Sequence, residues 1–402
     1  MKLDYQKTFL LGLGFFGISL IWSVYNSYVP IFLREYNLPL SLVGLVMTFD
    51  NIAGVTIQPY VGFLSDRTWT RFGRRMPYLM VGAPIAALSF ALIPVLHLSV
   101  PVFGLLMATI IVMNIAMAVF RTPTVALMPD IIPSPLRSKA NGIINFMGGL
   151  GATLAFLGGA FLYRADRGLP FYLGAILMLA AVAIVVLVIR EPREYGEDAE
   201  GQAGVLSTIR EILSSQERSA LFILLAIFAW FIGYNAIETF WTTYGKEFLG
   251  IAESTAAAML TYVSATFLIF ALPAGFVATR FGRRRTILAG LTALLVFILG
   301  GYFTTNMTYL TVMLIIAGIA WALININSFP MVSDVAPAGK IGSYTGLYYF
   351  SSMLAAIASP PIAGGLMDLL GHRVMFLFSA FSMLLAMVCM LQVKRGEAQT
   401  AT

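Results

Sequence analysis

The sequence predicts an all-α membrane protein with twelve transmembrane helices in two pseudo-symmetric six-helix bundles, with both termini in the cytoplasm. The first observation is composition: of 402 residues, 59% are hydrophobic and 11% are charged, and the mean hydropathy is +0.86. A soluble domain carries about 25% charged residues, so this chain is expected to fold in lipid. The other two observations are apolar stretches of membrane-spanning length and short motifs that recur in both halves.

The apolar stretches each approach about 20 residues, the length that a helix needs to cross a bilayer. Backbone groups in lipid must bond within their own segment, so helices are the expected structure at this length. The polar stretch 190–218 is predicted to be a cytoplasmic linker between an N-terminal bundle, 1–189, and a C-terminal bundle, 219–402. The predicted spans are 9–33, 40–64, 77–97, 101–128, 140–163, 170–189, 219–244, 255–279, 286–304, 308–332, 343–367 and 373–393.

The distribution of Lys and Arg predicts the orientation of the chain. With the N-terminus in the cytoplasm, nineteen of these residues fall on the cytoplasmic side and five on the outer side. Such a bias is typical of multi-pass proteins of the cell membrane, and a bacterial inner membrane is the expected location. Asp4, Gln6 and Lys7 lead into a span that is too long for a cleavable signal peptide.

The two predicted halves contain similar motifs in the same order. Tyr25-Asn26 matches Tyr234-Asn235, and Asp130 matches Asp334. Two similar bundles with a substrate site between them near the middle of the membrane are typical of secondary transporters. The matching stretches are 22–36 with 230–244, 59–75 with 273–284, and 128–146 with 332–350.

The stretch 58–79 carries Gln-Pro, then Ser-Asp-Arg, then Phe-Gly-Arg-Arg followed closely by a proline. This pattern resembles the major facilitator superfamily, and more specifically its sucrose/maltose-type proton symporters. The stretch 126–142 is similar to the junction of helices four and five in that branch and in the glycoside–pentoside–hexuronide cation symporters. The resemblance implies sugar transport coupled to a cation. Melibiose-type carriers place paired acids for sodium where this chain has Gly54 and Gln58, so protons are favoured over sodium.

Three acids are candidate proton-coupling residues. Asp50 lies in the middle of the second predicted span, where an acid costs about 2.5–3.5 kcal/mol to insert, and this cost favours a functional role. The alternative is a polar anchor near the outer interface or a hydrogen bond to a neighbouring helix. Glu238 shares a helical face with aromatic residues in the seventh span, which favours a functional role. The alternative is an acid near the outer surface that the lipid headgroups solvate. The resemblance permits a proton site at Asp130, but a contact with the arginines of 67–75 is favoured there.

Polar and aromatic side chains within the spans are candidate sugar-binding residues, because sugar rings stack on Trp and Tyr while their hydroxyls bond amides and carboxylates. Arg121 in the fourth span cannot lose its proton and therefore needs a wet cavity or a carboxylate partner, which Asp50, Glu238 or Asp130 could supply. The predicted substrate-binding residues are Tyr25, Asn26, Gln58, Asn114, Arg121, Asn145, Trp230, Tyr234, Asn235, Glu238, Trp241 and Asn325.

Charged residues in the loops and at the helix ends of the cytoplasmic side are candidate gating residues. Ion pairs between them could latch that side shut and release it as the two bundles rock. The predicted gating residues are Asp66, Arg67, Arg74, Arg75, Asp130, Arg137, Arg283 and Asp334.

The sequence therefore predicts a proton-coupled symporter of a neutral sugar, a disaccharide or glucoside such as sucrose or maltose, working as a monomer in lipid. An exporter of apolar compounds driven by protons and a sodium-coupled glycoside symporter are the alternatives. A non-transporting sensor built on a transporter scaffold is not favoured, because it would need a larger cytoplasmic extension than the stretch 190–218 provides. An enzyme is not expected, because the acids do not pair with a His or with a metal motif.

Cofactors, metals and nucleic acid are not expected partners. The sequence has no nucleotide-binding motif, and its two His and single Cys cannot form a zinc site or a disulfide framework. The net charge of +6 collects in loops between spans, which is typical of membrane topology rather than of nucleic-acid binding.

Overall fold

The structure, a computed structural model, describes residues 4–132, 136–191, 218–337 and 341–396. The predicted linker at 190–218 lies almost entirely outside the described residues. The side chains at 129, 137–139 and 341–342 also lie outside the description, and they include the predicted gating residue Arg137.

The described residues are almost entirely helical. Twelve segments among them are long and apolar enough to cross a membrane, with α2 and α3 together forming the second, Leu40–Arg67. This confirms the prediction of an all-helical protein with twelve spanning helices. The helices are α1 Tyr5–Glu35, α2 Leu40–Met47, α3 Phe49–Arg67, α4 Met76–Leu98, α5 Phe103–Ile131, α6 Arg137–Ala165, α7 Leu169–Val188, α8 Ser219–Glu247, α9 Glu253–Phe281, α10 Arg283–Phe303, α11 Met307–Val335, α12 Ile341–Leu370 and α13 Val374–Gln392.

The ends of several helices follow from single residues. The side chain of Asp4 accepts a hydrogen bond from the Lys7 backbone N–H at 3.0 Å and so caps α1. Gly73 and Gly282 precede α4 and α10 with φ of 112° and 90°, a region that favours glycine. These two glycines occupy equivalent positions in the sequence repeat, but Gly282 lies directly before α10, whereas Gly73 lies three residues before α4.

The second predicted span, 40–64, was expected to be one helix, but the structure interrupts it at Thr48. The Thr48 hydroxyl donates to the Leu45 carbonyl at 2.7 Å, and the Thr48 backbone N–H bonds to the same oxygen at 3.2 Å. Both donors therefore reach back three residues, which tightens the turn and ends α2 at Met47. Asp50 consequently lies at the start of α3 rather than in the middle of a continuous helix.

The described residues divide into two compact units that do not follow the two halves of the sequence completely. The second unit includes Pro39–Thr48 from the N-terminal half, and the first includes Gly250–Thr261 from the C-terminal half. The chain thus passes from one unit to the other inside its second and eighth spans. These two crossing points lie eleven residues before Pro59 and twelve before Pro273, which are equivalent in the repeat.

Each unit is packed from neighbouring helices. In the first unit α1 packs on α6 and α7, and α4 packs on α5; in the second, α8 packs on α12 and α13, and α10 packs on α11. Small residues permit the closest approaches. A Cβ at Gly151 would lie 2.5 Å from the Phe16 carbonyl oxygen, and one at Gly233 would lie 2.9 Å from the Ser379 carbonyl oxygen.

Candidate functional site

Four of the predicted site residues meet in the first unit, contributed by three helices. Tyr25 lies on α1, Asp50 on α3, and Asn114 and Arg121 on α5. The Asn114 amide nitrogen lies 3.5 Å from the Tyr25 hydroxyl, and Asp50 is within electrostatic range of both Tyr25 and Arg121. We call these four residues the Asp50 cluster. It combines a titratable acid, a permanent cation and two buried polar groups.

Asp50 is half-buried and well supplied with hydrogen-bond donors. The Asn51 side-chain amide donates to one carboxylate oxygen at 2.7 Å, and the backbone N–H of Asn51 also bonds to the carboxylate. These donors are available because Asp50 lies in the first turn of α3, where backbone N–H groups have no partner within the helix. The break at Thr48 therefore creates the environment of this acid.

Two polar atoms beside Tyr25 have no hydrogen-bond partner among the described residues. One is the side-chain oxygen of Asn114, a residue that is only 2% exposed, and the other is the indole nitrogen of Trp22. The Trp22 and Tyr25 rings meet edge to face with centroids 5.4 Å apart. An unpaired buried polar group costs about 1–3 kcal/mol, so this acceptor and this donor are suited to a hydroxyl of a bound ligand. Trp22 was not predicted; its sequence signals are its spacing of three residues from Tyr25 and its place at the start of the repeated stretch 22–36, where Trp230 begins the matching stretch.

Two predicted residues, Tyr234 and Glu238, lie in the second unit on α8, beside two aromatic side chains that were not predicted, Phe231 on α8 and Trp321 on α11. The rings of Tyr234 and Trp321 stack with centroids 4.2 Å apart and an interplanar angle of 11°, and Phe231 meets Trp321 edge to face at 5.2 Å. Glu238 is within electrostatic range of Tyr234. We call these four residues the aromatic cluster. Trp321 was not among the predicted binding residues, although it lies one helical turn before Asn325.

The other predicted substrate-binding residues have varied surroundings. The amides of Asn145 and Asn235 each donate to a backbone carbonyl one turn earlier in their own helix, at 2.8 Å and 2.7 Å. Trp230 and Trp241 are 0% exposed, so protein surrounds both rings completely. The half-buried members of the set are Asn26, Gln58, Asn235 and Asn325.

The predicted gating residues of the N-terminal half form an ion-pair network. Asp130, at the end of α5, accepts from Arg74 at 2.7 Å and from Arg75 at 2.9 Å, and Arg75 also contacts Asp66 and the Ser65 hydroxyl. Burial lowers the pKa of Arg75, but hydrogen bonds and charge interactions with Asp130 and Asp66 outweigh it and raise that pKa above its usual value. The arginine therefore stays charged although it is buried.

Glu191 was not predicted, but it completes this network from the end of the sixth span. Its carboxylate accepts the backbone N–H groups of Arg74 and Arg75 at 2.9 Å each and of Met76 at 2.8 Å. It thereby supplies the N-terminal cap that no side chain of α4 provides. Sequence reasoning missed it because the contact spans more than a hundred residues of chain.

The C-terminal half repeats part of this network. Arg283 pairs with Asp334, as Arg74 pairs with Asp130 at the equivalent positions. Arg284 differs from its counterpart Arg75, because it donates to the carbonyl oxygens of Met390 and Leu391 at 3.1 Å and 2.7 Å. The pairs Arg74–Asp130, Arg75–Asp130 and Arg75–Asp66 lie within the first unit, and Arg283–Asp334 lies within the second. Arg67 lies over the Phe63 ring at 3.9 Å.

A further set of charged contacts lies at the opposite ends of the helices in the first unit. Glu35, the last residue of α1, bonds to His97 at 2.6 Å and to Arg167 at 2.8 Å. Arg167 and Glu253 are also 3.7 Å apart, and Tyr163 donates to Glu253. Among the described residues, no group of three or more His, Cys, Asp or Glu side chains is placed to hold a metal ion.

Three relatives are similar to the chain over different lengths. Proton-associated sugar transporter A of Homo sapiens is 34% identical over 90 residues, 22% of this chain and 12% of that protein. The isoprimeverose transporter of Lactiplantibacillus pentosus is 23% identical over 354 residues, 84% of this chain and 73% of that protein. The general alpha-glucoside permease of Schizosaccharomyces pombe is 26% identical over 192 residues, 44% of this chain and 35% of that protein.

Solved structures share the fold. The nucleoside transporter NupG matches with a TM-score of 0.73 and 17% identity, over 97% of this chain and 99% of that chain. A bacterial homolog of the human lysosomal transporter Spinster, inward-facing and occupied, matches with a TM-score of 0.71 and 16% identity, over 98% of this chain and 95% of that chain. Residues 10–345 match the family described as MFS/sugar transport protein. Since that match covers most of the chain, the protein belongs to this family, within the major facilitator superfamily, and is a multi-pass membrane protein.

Proposed function

We propose that the protein is a secondary active transporter that couples proton entry to the uptake of a neutral disaccharide or glucoside. The Asp50 cluster carries the proposal, because it puts a titratable acid beside a permanent cation within a membrane-spanning segment. Arg121 keeps its charge at all physiological pH values, whereas Asp50 can be ionised or neutral. The net charge of the cluster therefore changes by one unit when Asp50 binds a proton.

The proton and the sugar would be linked through the carboxyl group of Asp50. An ionised carboxylate only accepts hydrogen bonds, whereas a protonated one also donates. Protonation would remove one negative charge from the cluster and add a donor for a sugar hydroxyl. Binding of the sugar and binding of the proton would then favour each other, and the cluster with both bound would permit the inward movement of the cargo.

Each of the two clusters offers groups that suit a sugar. A sugar hydroxyl can donate to the Asn114 oxygen while accepting from the Trp22 indole nitrogen, and both atoms lack partners among the described residues. The apolar face of a sugar ring suits the Tyr234 and Trp321 rings, with Glu238 accepting from a hydroxyl. Of the other predicted substrate-binding residues, the incompletely buried Asn26, Gln58, Asn145, Asn235 and Asn325 are proposed to contact the cargo as it passes, and the enclosed Trp230 and Trp241 to support the site by packing.

The names of the relatives support this assignment. One is an isoprimeverose transporter, one is a general alpha-glucoside permease and one is a proton-associated sugar transporter. The first two transport glycosides, and the third supports the proton as the coupling ion. Transport, rather than chemical conversion, is accordingly the proposed activity, and no cofactor takes part in it.

The test is uptake into proteoliposomes with an imposed pH gradient. Labelled sucrose, maltose, isoprimeverose and glucose form the sugar set, and uridine represents nucleosides, which also offer a ring to an aromatic stack. We expect one of the sugars to accumulate inside the liposomes, and we expect a protonophore to abolish this accumulation. Sugar accumulation driven by a sodium gradient alone would instead indicate a sodium-coupled glycoside symporter. Proton-driven efflux of an apolar dye without sugar uptake would indicate an exporter of apolar compounds.

We also propose that 1–189 and 219–402 act as the two rocking bundles, joined by 190–218, and that a single chain is the working unit in a bacterial inner membrane. The mass of the purified protein after subtraction of bound detergent tests the oligomeric state. A mass near 43.8 kDa is expected. A value near twice this mass, with transport lost on dilution, would contradict the monomer.

A further inference from the structure

The four arginines that connect α3 to α4 have two different kinds of surroundings. Arg75 is buried and Arg74 is half-buried, and both pair with Asp130. Arg67 and Arg71 are exposed, and each guanidinium group lies over a phenylalanine ring, at 3.9 Å and 4.7 Å. Neither of these two makes an ion pair with another described residue. The first two arginines therefore belong to a network inside the protein, whereas the other two keep their positive charge at the surface.

Exposed aromatic side chains accompany the two surface arginines. Trp69 is 63% exposed, and the two rings under the guanidinium groups, Phe63 and Phe72, are exposed as well. Aromatic rings at the end of a spanning helix are typical of the boundary between membrane and water, where Trp is enriched. We call Phe63, Arg67, Trp69, Arg71 and Phe72 the interface turn. It combines apolar rings with two cations, which are the groups that suit the headgroup layer of a membrane.

The backbone of the interface turn is held by its own hydrogen bonds. The Thr70 hydroxyl donates to the Gly73 carbonyl oxygen at 2.7 Å and accepts the Phe72 backbone N–H at 3.2 Å. The Gly73 backbone N–H donates in turn to the Thr70 carbonyl oxygen at 3.1 Å. The hydroxyls of Thr68 and Tyr78 lie 2.7 Å apart and join the turn to the start of α4. The exposed rings and arginines are therefore presented from an ordered turn at the end of α3.

The equivalent turn of the second half keeps only part of this arrangement. Arg280 lies over Phe281 at 5.5 Å, which repeats the pairing of Arg71 with Phe72. The matching stretch of the second half is shorter, and it has no counterpart of Trp69 or of the first surface arginine. The second half thus offers one arginine and one ring where the first offers two arginines and three rings.

We propose that the interface turn is a binding site for the headgroup of an anionic phospholipid, with Arg67 and Arg71 on the phosphate and Trp69 in the interfacial layer. Guanidinium groups match the geometry of phosphate oxygens and bind them through paired hydrogen bonds. The nearby carboxylate of Asp66 pairs with Arg75, so it does not neutralise the two surface arginines. A soluble anion could meet the same guanidinium groups, but it would leave the three rings in water, whereas a lipid covers both. For Arg67 this is an alternative to the gating role that the sequence predicts.

The fluorescence of Trp69 can report which lipid lies beside the turn. The difference in emission between the protein and its Trp69→Phe variant isolates this residue from the other tryptophans. The liposomes would contain equal amounts of phosphatidylglycerol and phosphatidylcholine, with bromine, a quencher of tryptophan, on the acyl chains of one lipid or of the other. The surface charge is then the same in both preparations. We expect brominated phosphatidylglycerol to quench Trp69 at least about threefold more than brominated phosphatidylcholine, since each arginine near a membrane surface favours anionic lipid by about fivefold.

Two variants test whether the surface arginines recognise the headgroup. Arg67→Gln combined with Arg71→Gln should make the two brominated lipids quench Trp69 equally, because the rings remain and the charges do not. Arg280→Gln is the matched control, since it removes an exposed arginine over a phenylalanine ring at the equivalent turn, and it should keep the preference for phosphatidylglycerol. A double variant that keeps the preference would show that other groups recognise the lipid. Loss of the preference in Arg280→Gln would show that only general surface charge attracts it, and either result would overturn the proposal.

The unmodified protein can also contradict the proposal. Equal quenching of Trp69 by the two brominated lipids would mean that the turn anchors in the membrane without recognising a headgroup. No quenching by either lipid would place the turn in water, where a soluble partner would have to cover its rings. None of these measurements needs a transported sugar, so failure of the proposed function would leave this inference standing.

Discussion

Asp130 and Asp334 occupy equivalent positions in the two halves, but the structure surrounds them differently. The Asp130 side chain is 11% exposed and accepts from two arginines, whereas the Asp334 side chain is 40% exposed and pairs with Arg283. The sequence repeat predicted that both acids would meet arginines. It could not show how deeply each pair is buried, because burial depends on residues that are distant in the chain.

This difference leads to the first prediction. Asp130→Asn should lower the free energy of unfolding by about 3–5 kcal/mol, because it removes the carboxylate that accepts from both the buried Arg75 and the half-buried Arg74, and leaves Asp66 for Arg75 alone. Asp334→Asn should cost at most about 1 kcal/mol, because water screens the more exposed pair. Unfolding of both variants in the same detergent measures the difference. Equal losses would mean that the burial of Asp130 does not determine its contribution.

The second prediction concerns the proton site. Asp50→Asn should reduce proton-driven accumulation to the level of simple equilibration, because an amide cannot exchange a proton. Exchange of labelled for unlabelled sugar should continue, because it needs no net proton movement. Asp50→Glu, which keeps the carboxyl group, should retain part of the accumulation. Uptake against a gradient by Asp50→Asn liposomes would show that another group carries the proton.

The third prediction concerns the aromatic cluster. Trp321→Ala should weaken sugar binding roughly 2- to 10-fold, since contacts of an aromatic ring are worth about 0.5–1.5 kcal/mol beyond the area that they bury. Trp321→Phe should keep most of the affinity, and Trp69→Ala, in an exposed loop, should keep all of it. Titration calorimetry measures the dissociation constants. If Trp321→Ala binds as well as Trp69→Ala, the cluster does not contact the sugar.

Among the helices, local chemistry determined the ends and distant contacts determined several caps. Asp4 and Asn306 cap α1 and α11 through bonds to residues two or three positions away, a signal that the sequence itself contains. Glu191 and Asp368 cap α4 and α2 from other parts of the chain. Neither could be predicted from sequence spacing, because the fold alone brings them to those helix ends.

The fourth prediction tests the close approach of α9 and α11. A Cβ at Gly318 would lie 2.0 Å from the Thr266 hydroxyl oxygen and 2.3 Å from the Val263 carbonyl oxygen. Gly318→Ala should therefore destabilise the protein by about 1–3 kcal/mol, as overpacking does. Gly346→Ala in α12 is the control, because nothing lies within 4 Å of an added Cβ there. Thermal unfolding should separate them; a Gly318→Ala protein as stable as the control would mean that the helices can move apart freely.

For the whole molecule, the composition and the span lengths predicted the fold class, because the bilayer sets a length that few other structures require. The orientation of the termini is still a prediction from the distribution of Lys and Arg. The two compact units add a feature that the repeat did not predict. Each unit includes the first part of one span from the other half.

The fifth prediction addresses orientation. In a Cys389→Ser background, Ser99→Cys in the loop between α4 and α5 should react with a membrane-impermeant maleimide added to intact cells. Arg71→Cys, in the loop between α3 and α4, should react only after the membrane is opened. Both positions are exposed in the structure, so protection reports the side of the membrane. The reverse pattern would place the arginine-rich loops outside.

The sequence by itself determined the class of the protein, the number of spans, the internal repeat and the acids within or at the ends of the spans, including Asp50 and Asp130. These follow from local physics, since hydrophobic length and charge inside an apolar stretch are visible along the chain. Only the tertiary structure decided the neighbours of those acids: Tyr25 and Arg121 for Asp50, and Arg74 and Arg75 for Asp130. It also decided that α2 is capped by Asp368. Contacts between distant segments depend on how helices pack, and packing is a property of the assembled bundle rather than of any one stretch.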